Sequence, residues 1–150
     1  MIEDINLCKR LGVNGVVIGA LDGDGNIDVD LMRSLMVEAK PLSVTFHRAF
    51  DCCADPYKSI EDVIALGCDR LLTSGLAASA YEGRGLISEL VDMAGDRIII
   101  MPGAGVRPSN IAALSQATRA LEYHGSAHSE HGTTDRKVVS QLVDDSLQLL

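Results

Sequence analysis

A histidine, an arginine and an aspartate fall close together in Phe46-His47-Arg48-Ala49-Phe50-Asp51. An imidazole can exchange protons near neutral pH or hold a metal ion. A guanidinium offers a planar fork to a carboxylate or phosphate, and Asp51 could orient either group. The plainer reading is that Arg48 and Asp51 pair with each other while His47 fills a polar layer of the core. Glu122 and His124 stand two residues apart further along. On a strand they share a face, where they could work as acid and base, ligate a metal, or simply satisfy each other in burial. Cys52-Cys53 follows Asp51 directly. Thiolates are soft donors suited to Cu(I), so Cys52, Cys53 and His124 form a candidate metal set. Most cysteines, however, are small buried apolar residues.

Two glycine turns complete the candidates. Met101-Pro102-Gly103-Ala104-Gly105-Val106 and Tyr123-His124-Gly125-Ser126-Ala127 each follow a predicted strand. Backbone N–H groups of Gly103, Gly105, Val106, Gly125 and Ser126 could approach an anion there, and Ser109 and Asn110 open a helix whose N-terminus favours negative charge. Glycines that only make tight turns are the alternative. Asp22-Gly23-Asp24-Gly25-Asn26-Ile27-Asp28 opens like a calcium loop, but Ile27 stands where that loop needs glycine and Arg33 where it needs glutamate. A polar turn ending in a cap at Asp28 fits better. His128 and His131 sit in a Gly/Ser/Thr-rich segment that reads as a mobile loop and a weaker metal candidate.

Five short apolar runs are the expected strands: Gly15–Leu21, Ser43–Arg48, Arg70–Gly75, Ile98–Gly103 and Leu121–Ser126. Amphipathic stretches separate them at helical spacing. Ile2, Ile5, Cys8 and Leu11 form one stripe, and Leu31, Leu35, Met36 and Ala39 the next. Asp55-Pro56 opens a third as cap and first helical residue. Leu86, Leu90, Val91 and Met93 mark a fourth, Ile111 and Leu114 a fifth. Val138, Val139, Leu142 and Val143 mark the last, with Thr134 as its cap. Strand positions Val16, Val44, Leu71, Ile99 and Glu122 are 28, 27, 28 and 23 residues apart. That period fits βα units, so an α/β fold with a parallel sheet is expected. Polar residues at alternate positions near strand C-termini (Thr45, His47, Thr73, Glu122, His124, Ser126) favour a (β/α)8 TIM-barrel type over an open sheet. The chain reads as one domain over residues 1–150, a partial barrel of about five units.

Acidic and basic residues are mixed along the chain, with a net charge of −8, so no basic stripe invites nucleic acid or an anionic membrane. The N-terminus, Met1-Ile2-Glu3-Asp4, lacks a basic n-region and a long apolar run. A cytoplasmic location is therefore expected, with Cys8, Cys52, Cys53 and Cys68 as reduced thiols.

Phe46–Asp51, Leu72-Thr73-Ser74-Gly75, Met101-Pro102-Gly103 with Gly105, and Glu122-x-His124 followed by Ser126-Ala127 together resemble signatures of the CutC copper homeostasis family. Gly19-Ala20-Leu21 and Ile27-Asp28 also fit. The resemblance implies a (β/α)8 barrel, a cytosolic Cu(I)-binding role, and a mouth lined by His47, Arg48, Asp51, Glu122 and His124. By the same resemblance, the family's first three strands, which carry cysteines of their own, are absent from this sequence. Besides copper homeostasis, two other readings stand: an enzyme doing acid–base chemistry on a small anionic or phosphorylated molecule, and an inert fragment. Open strand edges and apolar faces make self-association expected.

Overall fold

A computed structural model describes residues 1–128 and 133–147. Helices and strands alternate as α1 Ile2–Leu11, β1 Gly15–Ile18, α2 Val29–Ala39, β2 Ser43–Phe46, α3 Pro56–Ala65, β3 Arg70–Thr73, α4 Arg84–Ala94, β4 Ile99–Pro102, α5 Pro108–Thr118 and α6 Arg136–Leu147. A 3₁₀ turn, Arg48–Cys52, follows β2. The strand order is β1-β2-β3-β4. β1 pairs with β2 in parallel, Val16 opposite Val44 and Ile18 opposite Phe46, and β2 pairs with β3 in parallel. The expected α/β class with a parallel sheet is what the chain adopts.

The chain divides into two compact units, Met1–Leu72 with Ala94–Ile99, and Thr73–Met93 with Ile100–Leu150. In the first, α1 ends at Gly12 and α2 is capped by Asp28, whose carboxylate accepts from the Leu31 N–H at 3.0 Å. Asp55 caps α3 by accepting from the N–H groups of Tyr57 and Lys58, with Pro56 opening the helix. These satisfy N–H groups that a helix start leaves without partners. The core holds Met32, Leu35, Phe46, Phe50, Ile60, Val63 and Leu71, all at most 1% exposed. Asp69 ties β2 to the start of β3, accepting from the Val44 N–H at 2.7 Å and the Ser43 hydroxyl at 3.1 Å. In the second unit α5 packs on α6, and Ile87, Leu90, Leu114 and Thr118 are fully buried.

Four expectations shift. The buried stripe of α2 runs through Met32, Leu35 and Ala39, leaving Leu31 39% exposed. Asp135, not Thr134, caps α6, accepting from the Lys137 N–H at 2.7 Å, while Thr134 bridges antiparallel to His128. The strands are shorter at their C-terminal ends than the apolar runs. Lastly, Leu121–Ser126 forms no assigned strand. His124 donates its N–H to the Pro102 carbonyl at 2.9 Å, and one of the two flanking bonds that could extend this into a parallel ladder would come from the Pro102 N–H, which proline lacks. Leu121 is also 81% exposed, so its side chain offers the ladder little burial. His131 lies outside the described residues.

Candidate functional site

β2 ends at Phe46, and His47 turns the chain into the 3₁₀ helix. Its own N–H donates to the Ile18 carbonyl at 3.0 Å, which fixes its backbone to β1. Its Nδ1 accepts from the Ala49 N–H at 3.1 Å, so the imidazole caps the turn that follows. Arg48 and Asp51 are three residues apart, and i, i+3 side chains eclipse in a 3₁₀ helix. Arg48 Nε accordingly donates to Asp51 Oδ2 at 2.7 Å, with the carboxylate side chain only 8% exposed and Arg48 45% exposed. The structure forms the Arg48–Asp51 pair, and His47 caps the same turn through Ala49. Thr73, expected among the polar mouth residues, is fully buried and accepts from the Gly75 N–H at 2.9 Å.

Sequence reasoning gave Gly19 no role beside His47. A Cβ built on Gly19 would stand 2.6 Å from His47 Nδ1, 2.8 Å from its Cε1 and 3.2 Å from Phe46 Cε1. Any larger residue would push the ring off its cap. Only the position of Gly19 at the end of β1, in register just past the Ile18–Phe46 pair, could have signalled this.

In the second unit, Ala104 and Gly105 both adopt positive φ, 75° and 74°, after β4. Asn110 closes the start of α5, accepting from the Arg107 N–H at 2.9 Å and donating to the Gly105 carbonyl at 2.8 Å. The Gly103 N–H donates to the Thr73 carbonyl at 2.9 Å. Gly105, Gly125 and Ser126 are exposed, and Gly103 and Val106 are buried. A groove of about 320 Å³ borders this region, lined by Val106, Leu121, Tyr123, Gly125 and Leu142 among others, so its character is mainly apolar. His124 is exposed and Glu122 half-buried; the strand that was to set them on one face is not formed.

The thiols differ sharply in setting. Cys52 is exposed and Cys53 7% exposed. Burial pushes the Cys53 thiol up, against an opposing hydrogen bond with Ser59. Cys68, 4% exposed and 3.9 Å from the Met36 sulfur, is pushed up to about 11 by burial, with Asp69 adding to it. A thiol held protonated in the fold supports stability below the ordinary thiol range and loses that support as pH rises towards about 11. Stability is therefore expected to fall by roughly 2–3 kcal/mol between about pH 9 and 11. Cys68→Ala should flatten that fall in urea titrations run across the range. An unchanged slope would mean that other groups cause it.

Copper, the metal that the CutC resemblance implies, can be tested against these donors. Cu(I) wants two or three converging soft ligands. Among the described residues no three His, Cys, Asp or Glu side chains are grouped to hold a metal ion. Cys52 has the right chemistry and exposure, while Cys53 is buried and burial pushes its thiol up. A closed copper site does not fit the described residues.

Residues 1–129 match the CutC family. The chain is 58% identical over 129 residues to a family protein CutC of Parabacteroides distasonis, covering 86% of this chain and 53% of that one. It is 52% identical over 130 residues to a family protein CutC of Chromobacterium violaceum, covering 87% and 53% respectively. The crystal structure of the putative copper homeostasis protein CutC from Streptococcus agalactiae aligns with a TM-score of 0.78 at 34% identity, over 83% of this chain and 61% of that one. The native KDPGal structure aligns with a TM-score of 0.65 at 17% identity, over 99% of this chain and 66% of that one, a likeness of fold alone. The chain spans about half the length of the curated relatives it matches. A family match over 129 consecutive residues, together with an α/β fold shared with a solved CutC structure, leads to one assignment: the chain belongs to the CutC family.

Proposed function

We propose that this chain serves copper homeostasis in the cytoplasm, with Cu(I) as cargo rather than as a resident cofactor, and that its ligand set is completed outside the described residues. The observation that carries this reading is the family match over residues 1–129. Cys52 is the soft donor that the chain itself offers, being the exposed member of the Cys52-Cys53 pair. Self-association belongs to the same reading, because β1 ends the strand order and its Val17 is 60% exposed.

Cu(I) titration under a competing chelator tests it, on this chain and on a relative of full family length. The chain is expected to bind weakly, to yield its copper to the chelator, and to lose even the weak binding on Cys52→Ser. The full-length relative is expected to retain one equivalent. Light scattering on the same samples should show species heavier than a monomer. Chelator-resistant, stoichiometric copper on this chain alone would overturn the view that the ligand set is completed elsewhere.

A second reading is an acid–base enzyme acting on a small anionic or phosphorylated molecule, with His47, Arg48 and Asp51 as working groups. The observation favouring it is the ordered His47 imidazole beside the Arg48–Asp51 pair.

A further inference from the structure

Neutral imidazole carries one proton on one of two nitrogens, and the bond made by one nitrogen decides what the other can do. In His47 the choice is made by the backbone. Nδ1 accepts from the Ala49 N–H at 3.1 Å, so Nδ1 must keep its lone pair and the proton must sit on Nε2. Three further contacts hold the ring in that pose. The Ile18 carbonyl anchors the His47 backbone at 3.0 Å. Phe46 meets the ring edge-on, with centroids 5.9 Å apart. Gly19 leaves room beside Nδ1 and Cε1 that a single Cβ would fill.

We infer that His47 is a fixed hydrogen-bond donor, presenting Nε2–H to an oxygen of a small anionic ligand, and that it is not a copper ligand. A metal ion needs a nitrogen lone pair. At Nδ1 that pair is already used by Ala49. At Nε2 the proton would have to move to Nδ1, where it would face the Ala49 N–H and break the cap. A donor role requires neither change. A neutral imidazole held in place can polarise a carbonyl or phosphoryl oxygen without gaining or losing a proton. Arg48 is the next residue, and its guanidinium, whose Nε holds the Asp51 carboxylate, puts an ion pair rather than a bare charge on the same turn. Ligands with an oxyanion, such as a phosphate or carboxylate, match that combination.

Nitrogen-15 NMR of histidine-labelled full chain tests this, at about pH 8, above the ordinary imidazole range. The two-bond correlations of His47 are expected to show the Nε2–H tautomer alone. Inorganic phosphate is the probe for the ligand: it should shift the Nε2 resonance in a saturable way and leave Nδ1 nearly still. Cu(I) should leave both unchanged. His47→Asn keeps an oxygen where Nδ1 caps Ala49 and removes the outer donor. It is expected to melt like the parent and to weaken phosphate binding ~tenfold. Gly19→Ala should mix the tautomers. An Nδ1–H tautomer, a Cu(I)-dependent shift at His47, or phosphate binding untouched by His47→Asn would each overturn the assignment.

Discussion

Alanine at Gly83 is expected to cost the second unit at least about 3 kcal/mol, the largest loss from one added methyl group among the described glycines. Gly83 is buried at the entry to α4, where its carbonyl accepts the Ile87 N–H at 3.0 Å. A Cβ there would overlap the Ser74 carbonyl oxygen, and would stand 2.9 Å from both Cα and the carbonyl oxygen of Gly75. All of these are backbone atoms, so no side chain can rotate away. Gly75 makes the same demand from the other side: at φ 69° its own Cβ would meet the backbone of Gly83. The segment after β3 can therefore close onto α4 only as glycine against glycine, and substitution must move either the strand end or the helix. Gly85, two residues on within α4, has nothing within 4 Å of its Cβ position. Gly85→Ala is expected to gain about 0.5–1 kcal/mol from helix propensity. Urea unfolding of the two variants measures both. Equal small effects would show that the backbone near Ser74 yields easily, contrary to the geometry.

What could be read from the sequence divides along a physical line. Local signals were legible. The helical stripes placed the six helices, Asp28 and Asp55-Pro56 located two starts, and the regular period gave a parallel sheet. The Asp22 segment forms the polar turn expected of it, its carboxylate accepting from the Asp24 and Asn26 backbone N–H groups. Expectations failed where a partner had to be known. Leu121–Ser126 alternates like a strand, yet a strand depends on the bonds its neighbour can offer, and Pro102 lacks one N–H that the ladder would use. Cys52 and Cys53 looked alike as donors until the fold exposed one and buried the other beside Ser59. The catalytic-looking cluster was legible by residue type, and even the Arg48–Asp51 pair followed from spacing. The cap on Ala49 and the room left by Gly19 were not legible, because both depend on β1 lying against the end of β2.

Truncating Phe46 separates packing from positioning at this site. The side chain is fully buried at the end of β2, against the Gly19 backbone and edge-on to the His47 ring. Phe46→Ala leaves a cavity in the first unit and is expected to cost about 3–5 kcal/mol, a large share of the stability of a domain of this size. Phe46→Leu keeps most of the volume and should cost no more than about 1.5 kcal/mol. The two variants should also differ at His47. The leucine variant retains the bonds to Ile18 and Ala49, and its imidazole is expected to remain the Nε2–H tautomer. The alanine variant opens space beside the imidazole where the phenyl ring now packs, and its imidazole lines should broaden or mix before global unfolding begins. Urea midpoints and the histidine NMR spectrum, taken on the same samples, check both parts. If Phe46→Ala lowered stability yet left the His47 lines sharp, the backbone cap and Gly19 alone would hold the ring, and the aromatic edge would be packing only. The reverse result, a mixed tautomer in Phe46→Leu, would make ring-on-ring contact the element that fixes the donor.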